Sequence, residues 1–241
     1  MKHQTAAILV IGNEVLSGRT RDANAWLAAK RLFENGCRLQ EIAVVPDHLD
    51  AIAESLNRLR RHADAVITSG GIGPTHDDIT LEAVAAAFGV PLVEDGAIVR
   101  IMAERFGPEG LNDSRRRMAM MPEGAQLIRC DKTIAPGAHI DNVYVLAGVP
   151  EIFASQLDTI LPEFGGTPYM RREIEVPIRE SLFAHELESI QRQFSDVEIG
   201  SYPSHFTHPP AGKICLSGRD AMRLEAAESA VRAMLSALPQ D

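Results

Sequence analysis

The chain of 241 residues can bury a full hydrophobic core, and its 45% hydrophobic and 24% charged residues exclude a disordered or collagen-like protein. Its formal net charge of -9 argues against a nucleic-acid-binding surface, which needs concentrated lysine and arginine. Three separated cysteines and a short first apolar run, residues 6–11, give no sign of disulfides, zinc or a membrane span, so we expect a cytoplasmic protein with no nucleic-acid and no membrane partner.

Short apolar segments alternate with segments of helical periodicity through residues 1–90, a pattern typical of a parallel sheet covered by helices on both faces. In chain order the pattern predicts a strand at 6–11, a helix at 24–35, a strand at 42–45, a helix from about 47, a strand at 65–68 and a helix at 81–88. The signal weakens after residue 89, where we predict helices at 98–106, 114–121 and 151–161 and a buried strand at 143–146.

The order of elements changes after residues 164–168, which concentrate glycine and proline and are the predicted linker. Beyond it we predict a strand at 172–178, a helix at 180–194, strands at 197–201 and 213–217 and a helix at 220–238, with a long loop at 203–210. The fold class is therefore α/β, with a larger domain at residues 1–163 and a small α+β (βαββα) domain at 164–241.

The residues that follow the predicted strands indicate where a ligand binds, because an open parallel sheet binds ligands beyond the carboxyl ends of its strands. Glu14 follows the first strand, Asp47 the second, and a loop containing Gly70, Gly71 and Gly73 the third. These glycines permit positive φ and close approach of a ligand, and the loop leads into a helix whose first amides favour an anion. A strand-to-helix turn without a ligand is the alternative for this loop taken alone.

Two adjacent aspartates, Asp77 and Asp78, follow the glycines. Helix capping would explain one of them, but two neighbouring carboxylates repel each other, and a divalent cation that bridges to substrate phosphates would remove that repulsion. We therefore predict that Asp77 and Asp78 coordinate a metal or a phosphate group if Glu14 and Asp47 reach the same rim. Capping is the simpler interpretation of Asp47 alone.

Basic residues in the same half of the chain give a weaker indication of a phosphate-binding site. Arg115, Arg116, Arg117 and Lys132 can clamp a phosphate tail, although most runs of charge are solvated surfaces.

Several motifs together resemble one known family. They are GNEVLSG at 12–18 with DAN at 22–24, TSGGIGPTHDDIT at 68–80, MAMMPEGA at 118–125, APG at 135–137 and AGVPE at 147–151. They resemble the molybdopterin-binding (MoaB/MogA-like) domain of the CinA N-terminal type, which is also fused to eukaryotic FAD synthases. The resemblance covers about residues 6–160, and the following part resembles the small KH-like module of CinA proteins through IGSYP at 199–203.

The resemblance implies a three-layer α/β/α, MogA-like fold, a homo-oligomer, and a molybdopterin or nucleotide ligand. Aspartates matching Asp78 and Asp47 are associated with Mg²⁺-dependent adenylylation of molybdopterin in MogA-like members, so these two are the expected catalytic residues. The expected metal ligands, for Mg²⁺, Mn²⁺ or Co²⁺, are Asp77, Asp78, Glu14 and Asp47. The expected contacts to the ligand are Gly70, Gly71, Gly73, Pro74, Thr75, Asn24, Pro136, Gly137, Gly148 and Pro150.

Three functions are compatible with these residues. CinA-like members are similar to metal-dependent nucleotide pyrophosphatases that act on ADP-ribose or FAD, which makes a hydrolase the first hypothesis. The second is a non-catalytic molybdopterin-binding module, or a molybdopterin adenylyltransferase-like protein of molybdenum cofactor biosynthesis. RNA binding by the small domain is disfavoured, because it lacks a Gly-x-x-Gly loop and carries Glu186 and Glu188 on its first helix.

Overall fold

The computed structural model describes residues 2–107, 110–204 and 211–238, and the chain divides into two compact units, Met1–Gly166 and Thr167–Asp241. The first unit extends past the predicted linker start because Phe164 is fully buried within it, and because the amide of Gly165 donates to the carbonyl of His3. Most of the predicted loop at 203–210 lies outside the described residues.

A six-stranded sheet forms the centre of the first unit in the described residues, with the strand order β2-β1-β3-β8-β7-β6. Its strands are β1 (Thr5–Ile11), β2 (Arg38–Val45), β3 (Ala65–Ser69), β6 (Gln126–Cys130), β7 (Thr133–Ile140) and β8 (Val143–Leu146). The first four in spatial order are parallel, while β7 and β6 are antiparallel to their neighbours. The mostly parallel α/β fold is therefore confirmed.

Helices cover this sheet on both faces. They are α1 (Asn13–Leu16), α2 (Asn24–Glu34), α3 (Leu49–Leu59), α4 (Thr80–Phe88), α5 (Gly96–Phe106), α6 (Asp113–Arg117) and α7 (Pro150–Ile160). Alternate residues of β1 face the two sides: Leu9 packs with α3, α4 and α5, whereas Ile8 packs with α2 and α7. Burial on both faces explains why β1 is a continuous apolar run. No helix in the described parts of the chain is long and apolar enough to pass through a membrane.

The weak region of the pattern after residue 89 contains most of the errors, and the short helix α1 was also not predicted. The predicted helix at 114–121 is wrong in its second half, where β5 (Met120–Pro122) pairs with β4 (Leu92–Glu94), also unpredicted. The strands β6 and β7 were not expected either.

The second unit has the predicted order of strands and helices. Its elements are β9 (Met170–Val176), α8 (Ala184–Gln193), β10 (Glu198–Ser204), β11 (Ala211–Gly218) and α9 (Ala221–Ala237). The described strands form an antiparallel sheet in the order β10-β11-β9. The helices bury one sheet face through Leu187, Leu224 and Val231, which share a core with Ile174 and Ile214. The βαββα arrangement is confirmed, and the KH-like character stays a prediction.

Candidate functional site

A cavity of about 540 Å³ lies beyond the carboxyl ends of β1, β2, β3 and β8. Parallel strands bring these ends to one edge of the sheet, so residues that are far apart in the sequence meet there. The predicted site residues that line it are Glu14, Asn24, Asp47, Gly70, Gly71, Gly73, Pro74, Asp77, Asp78, Gly148 and Pro150. Three predicted contacts do not line this cavity: Thr75, Pro136 and Gly137. Pro136 and Gly137 are buried inside β7, and Ala135 and Thr133 of the same strand face the cavity instead.

The loop from β3 to α4 follows a path that only glycine permits at two positions. Gly70 and Gly71 have φ of 106° and 69°. A Cβ atom on Gly70 would lie 2.3 Å from the carbonyl oxygen of Ile11, and one on Gly71 would lie 2.2 Å from Oγ1 of Thr80. The buried Thr80 fixes the loop from inside, because its hydroxyl donates to the Gly70 carbonyl at 2.9 Å and its amide to the Gly71 carbonyl at 3.0 Å.

This path leaves three successive amides without protein acceptors. Within the described residues, the N–H groups of Gly71, Ile72 and Gly73 donate no hydrogen bond, whereas the Gly70 amide donates to the carbonyl of Leu146. Successive free amides at a loop that leads into a helix form a concave site for an anion.

The side chain of Thr75 brings the two adjacent aspartates together. Its Oγ1 atom lies 2.6 Å from Oδ1 of Asp77 and 2.5 Å from Oδ2 of Asp78, and its amide donates to the same Asp78 oxygen at 2.8 Å. A hydroxyl has one proton and can satisfy only one of these two acceptors. The hydrogen bond from Thr75 is also the main reason why the pKa of Asp77 lies below its ordinary value. Thr75 is thus a positioning residue for the acids.

Glu14 and Asp47 reach the cavity from the ends of β1 and β2. Oδ2 of Asp47 accepts the amide of Asn13 at 2.7 Å, so Asp47 holds the start of α1 as well as facing the cavity. The carboxylate of Glu14 lies over Gly12, where a Cβ atom would be 2.6 Å from its Oε1 atom. The capping interpretation of Asp47 is therefore wrong for α3, whose N-cap is His48 and has no side-chain cap; Asp47 faces the cavity and binds the first amide of α1 instead.

Among the described residues, the four predicted metal ligands Asp77, Asp78, Glu14 and Asp47 do not form one metal-binding group. In the described residues no group of three or more His, Cys, Asp or Glu side chains is close enough to hold an ion. Mg²⁺ commonly binds one or two carboxylates and completes its shell with water and substrate phosphates. The Thr75 hydroxyl oxygen and one carboxylate oxygen each from Asp77 and Asp78 lie close together and share a single hydroxyl proton. The two carboxylates have the oxygen ligands that this mode of metal binding requires.

Asn24 joins two sides of the cavity. The residue is 5% exposed, and its side-chain amide nitrogen donates to Oγ of Ser69 at 2.9 Å and to the carbonyl of Gly148 at 2.8 Å. Since a carbonyl only accepts, these bonds fix the amide orientation. Oδ1 is buried without a partner among the described residues.

The three successive arginines divide into separate roles. Arg115 stacks on Phe106, and Arg116 pairs with Glu94 at 3.0 Å. Arg117 alone of the three contacts the glycine-rich loop, where Nη2 donates to the carbonyls of His76 and Asp78 at 3.4 Å. Arg115 and Arg116 are not among the described residues that line the cavity.

Sequence reasoning missed the apolar wall and one basic residue. The wall consists of aliphatic side chains without an aromatic residue among the described lining: Val15, Ile72, Met118, Val149 and Ile152. Arg21 also lines the cavity, and its position between the GNEVLSG and DAN motifs was the only signal that could have revealed it.

A cavity at the strand ends, walled by a glycine-rich loop and by carboxylates from three connections, defines the first unit as an α/β ligand-binding domain. Residues 7–171 match the family described as a probable molybdopterin binding domain, and the chain belongs to this family. Residues 168–239 match the family described as the middle domain of FAD synthase.

Individual relatives agree with this assignment. A protein of Archaeoglobus fulgidus is 33% identical over 91% of this chain and 93% of its own length. A probable FAD synthase of Caenorhabditis elegans is 30% identical over 98% of this chain but only 50% of its own length. The crystal structure of the protein CinA from Thermoplasma acidophilum, described as of unknown function, is 30% identical and superposes with a TM-score of 0.63 over 67% of this chain and 98% of that one. The resemblance to the CinA type is therefore confirmed.

Proposed function

We propose that the first unit binds a phosphorylated pterin or a nucleotide diphosphate compound in this cavity and, together with a divalent metal, hydrolyses the phosphoanhydride bond of the nucleotide compound. The observation that carries the proposal is the meeting of the Asp77 and Asp78 carboxylates next to the free amides of the glycine-rich loop. The amides suit phosphate oxygens and the carboxylates suit a hard cation. A phosphoanhydride has phosphate oxygens for the amides to bind, and its hydrolysis needs a cation that the carboxylates can hold.

The residues have distinct tasks in this proposal. The amides of Gly71, Ile72 and Gly73 orient the phosphate chain, while Asp77 and Asp78 hold the ion. A bound divalent ion would neutralise charge that develops on the phosphate oxygens. Glu14 and Asp47, which also line the cavity, position the attacking water.

The reaction adds water across the anhydride. The water oxygen bonds to one phosphorus, the bridging oxygen leaves with the other, and the two water protons pass to the products or to solvent. FAD would yield FMN and AMP, and ADP-ribose would yield AMP and ribose 5-phosphate.

The test measures AMP released from FAD or ADP-ribose with Mg²⁺, Mn²⁺ or Co²⁺. We expect Asp78→Asn to lower turnover by about 10²- to 10³-fold, because it removes a charge from the reacting site. Asp50→Asn is the matched control, since Asp50 is exposed on α3 and does not line the cavity. Absence of AMP from the wild-type protein with every metal and substrate would refute the hydrolase.

A second candidate is a molybdopterin-binding module, or a molybdopterin adenylyltransferase-like protein. The match of residues 7–171 to the family described as a probable molybdopterin binding domain favours it. The module predicts metal-independent binding in calorimetry with no product. The transferase predicts pyrophosphate release from ATP only when molybdopterin is present.

A further inference from the structure

The charges around the cavity are strongly unbalanced. Five acidic residues line it, namely Glu14, Asp22, Asp47, Asp77 and Asp78, and Arg21 is the sole basic residue among its described lining. A phosphate group that enters such a cavity is repelled by the acids. The free amides of the loop carry only partial charges, so a full positive charge on the protein would strengthen the binding of an anionic ligand.

Arg21 is available for this role. It is exposed, and within the described chain it forms no ion pair and no hydrogen bond through its side chain. Arg117, the other arginine near the loop, is already engaged with the carbonyls of His76 and Asp78. Arg21 lies just before Asp22, whose Oδ2 atom accepts the amide of Ala25 at 2.9 Å and anchors this connection to α2.

We propose that Arg21 is the specificity-determining residue that selects phosphorylated ligands, by pairing its guanidinium with a phosphate group held at the loop. The proposal rests on the function proposed above, and it adds that the ligand is anionic at the point where it meets the connection between α1 and α2. A guanidinium suits the task because its planar N–H groups bind two phosphate oxygens at once.

The test compares Arg21→Gln with Arg19→Gln. Arg19 is exposed on the same connection but does not line the cavity, so its replacement changes net charge equally without touching the site. Calorimetry measures Kd for FAD and ADP-ribose, with riboflavin and adenosine as phosphate-free counterparts. We expect Arg21→Gln to weaken binding of FAD and ADP-ribose by about tenfold or more. We expect Arg19→Gln to leave both constants within about twofold, since exposed charges contribute little.

Two further measurements separate a phosphate contact from a structural effect. Arg21→Lys should restore part of the affinity, because lysine keeps the charge but loses the two-pronged geometry. Raising the salt concentration should weaken FAD binding more in the wild-type protein than in Arg21→Gln, because salt screens the lost interaction. The thermal unfolding midpoint should be the same for all variants.

The outcomes distinguish the two proposals. If the wild-type protein binds neither FAD nor ADP-ribose, both proposals fail. If it binds them and Arg21→Gln binds equally well, the role of Arg21 fails and the proposed function stands. Equal losses in Arg19→Gln and Arg21→Gln, or an equal loss for riboflavin, would also overturn the role of Arg21, because neither pattern comes from a specific phosphate contact.

Discussion

The Thr75 side chain holds the carboxylates of Asp77 and Asp78 close together, and this concentration of negative charge favours the binding of a cation. Thr75 draws two carboxylate oxygens to within 2.6 Å and 2.5 Å of its own hydroxyl but has one proton to give. The pKa of Asp77 is lowered, first by the Thr75 hydrogen bond, so this carboxylate stays ionised at neutral pH and below. Negative charge therefore remains next to the proposed phosphate site unless a metal ion neutralises it.

Asp77→Asn tests this reasoning through the dependence of binding on metal. In EDTA the wild-type acids repel ADP-ribose, so removing one charge should strengthen metal-free binding, while loss of a metal ligand should weaken binding with Mg²⁺. We expect the ratio of the two dissociation constants to change by about tenfold in calorimetry. Asp50→Asn should leave the ratio unaltered. Parallel weakening with and without Mg²⁺ would mean that Asp77 only supports the loop.

At the level of single elements, the strands of the first unit that are buried on both faces were predictable, whereas β4, β5, β6 and β7 were not. β1 has an apolar run at residues 6–11 and β3 begins with three apolar residues, and the pattern identifies both. β7 contains Pro136 and Gly137, which are rare in strands, so the pattern gave no strand there. In the structure the β6–β7 register shifts between Ile128 and Cys130, and Pro136 is in none of the residue pairs on either side of the shift.

The residues of the site also divide into those that could be predicted from the sequence and those that could not. Positions at strand ends, such as Glu14 and Asp47, follow from topology, since parallel strands share one rim. The positions of Arg21 and of the aliphatic wall depend on how the connections fold over that rim. The periodicity of apolar residues in the sequence does not predict the conformation of these connections. The sequence likewise could not distinguish Arg117 from its two neighbours, because their separate partners come from different elements.

The β3–α4 loop permits a direct test of steric fit. Gly71→Ala combines positive φ with a contact of 2.2 Å to Thr80, whereas Gly89→Ala has a similar φ of 66° and no atom within 4 Å. Positive φ alone costs roughly 1–2 kcal/mol for alanine, and Gly71→Ala should lose more because Thr80 must also move. Urea unfolding measures the difference in the free energy of unfolding. An equal decrease in the free energy of unfolding for the two variants would show that the loop can move away from Thr80 at little cost.

At the scale of the whole first unit, a polar network at the edge of the sheet opposite the cavity ties the start of the chain to the end of this unit. The hydroxyl of Tyr144 donates to Glu163 at 2.7 Å and lies 3.0 Å from Nε2 of His3. Burial, together with Glu163, raises the pKa of Tyr144 far above its ordinary value, so it remains a donor. The ring of His139 stacks on Tyr144 at 4.1 Å.

This network makes the stability of the unit depend on pH through His3. Burial is the main cause that lowers the pKa of His3 below its ordinary value of 6.5, so the unfolded chain takes up a proton more readily than the folded one. The free energy of unfolding should therefore be highest above pH 6.5 and fall as the pH drops from there toward the lowered pKa. His3→Gln should flatten this part of the curve in urea unfolding at pH 7, 6 and 5. His62→Gln is the control, because His62 is exposed and its replacement should leave the slope unchanged. A slope that persists in His3→Gln would assign the dependence to other groups, and the network would then serve packing rather than a pH response.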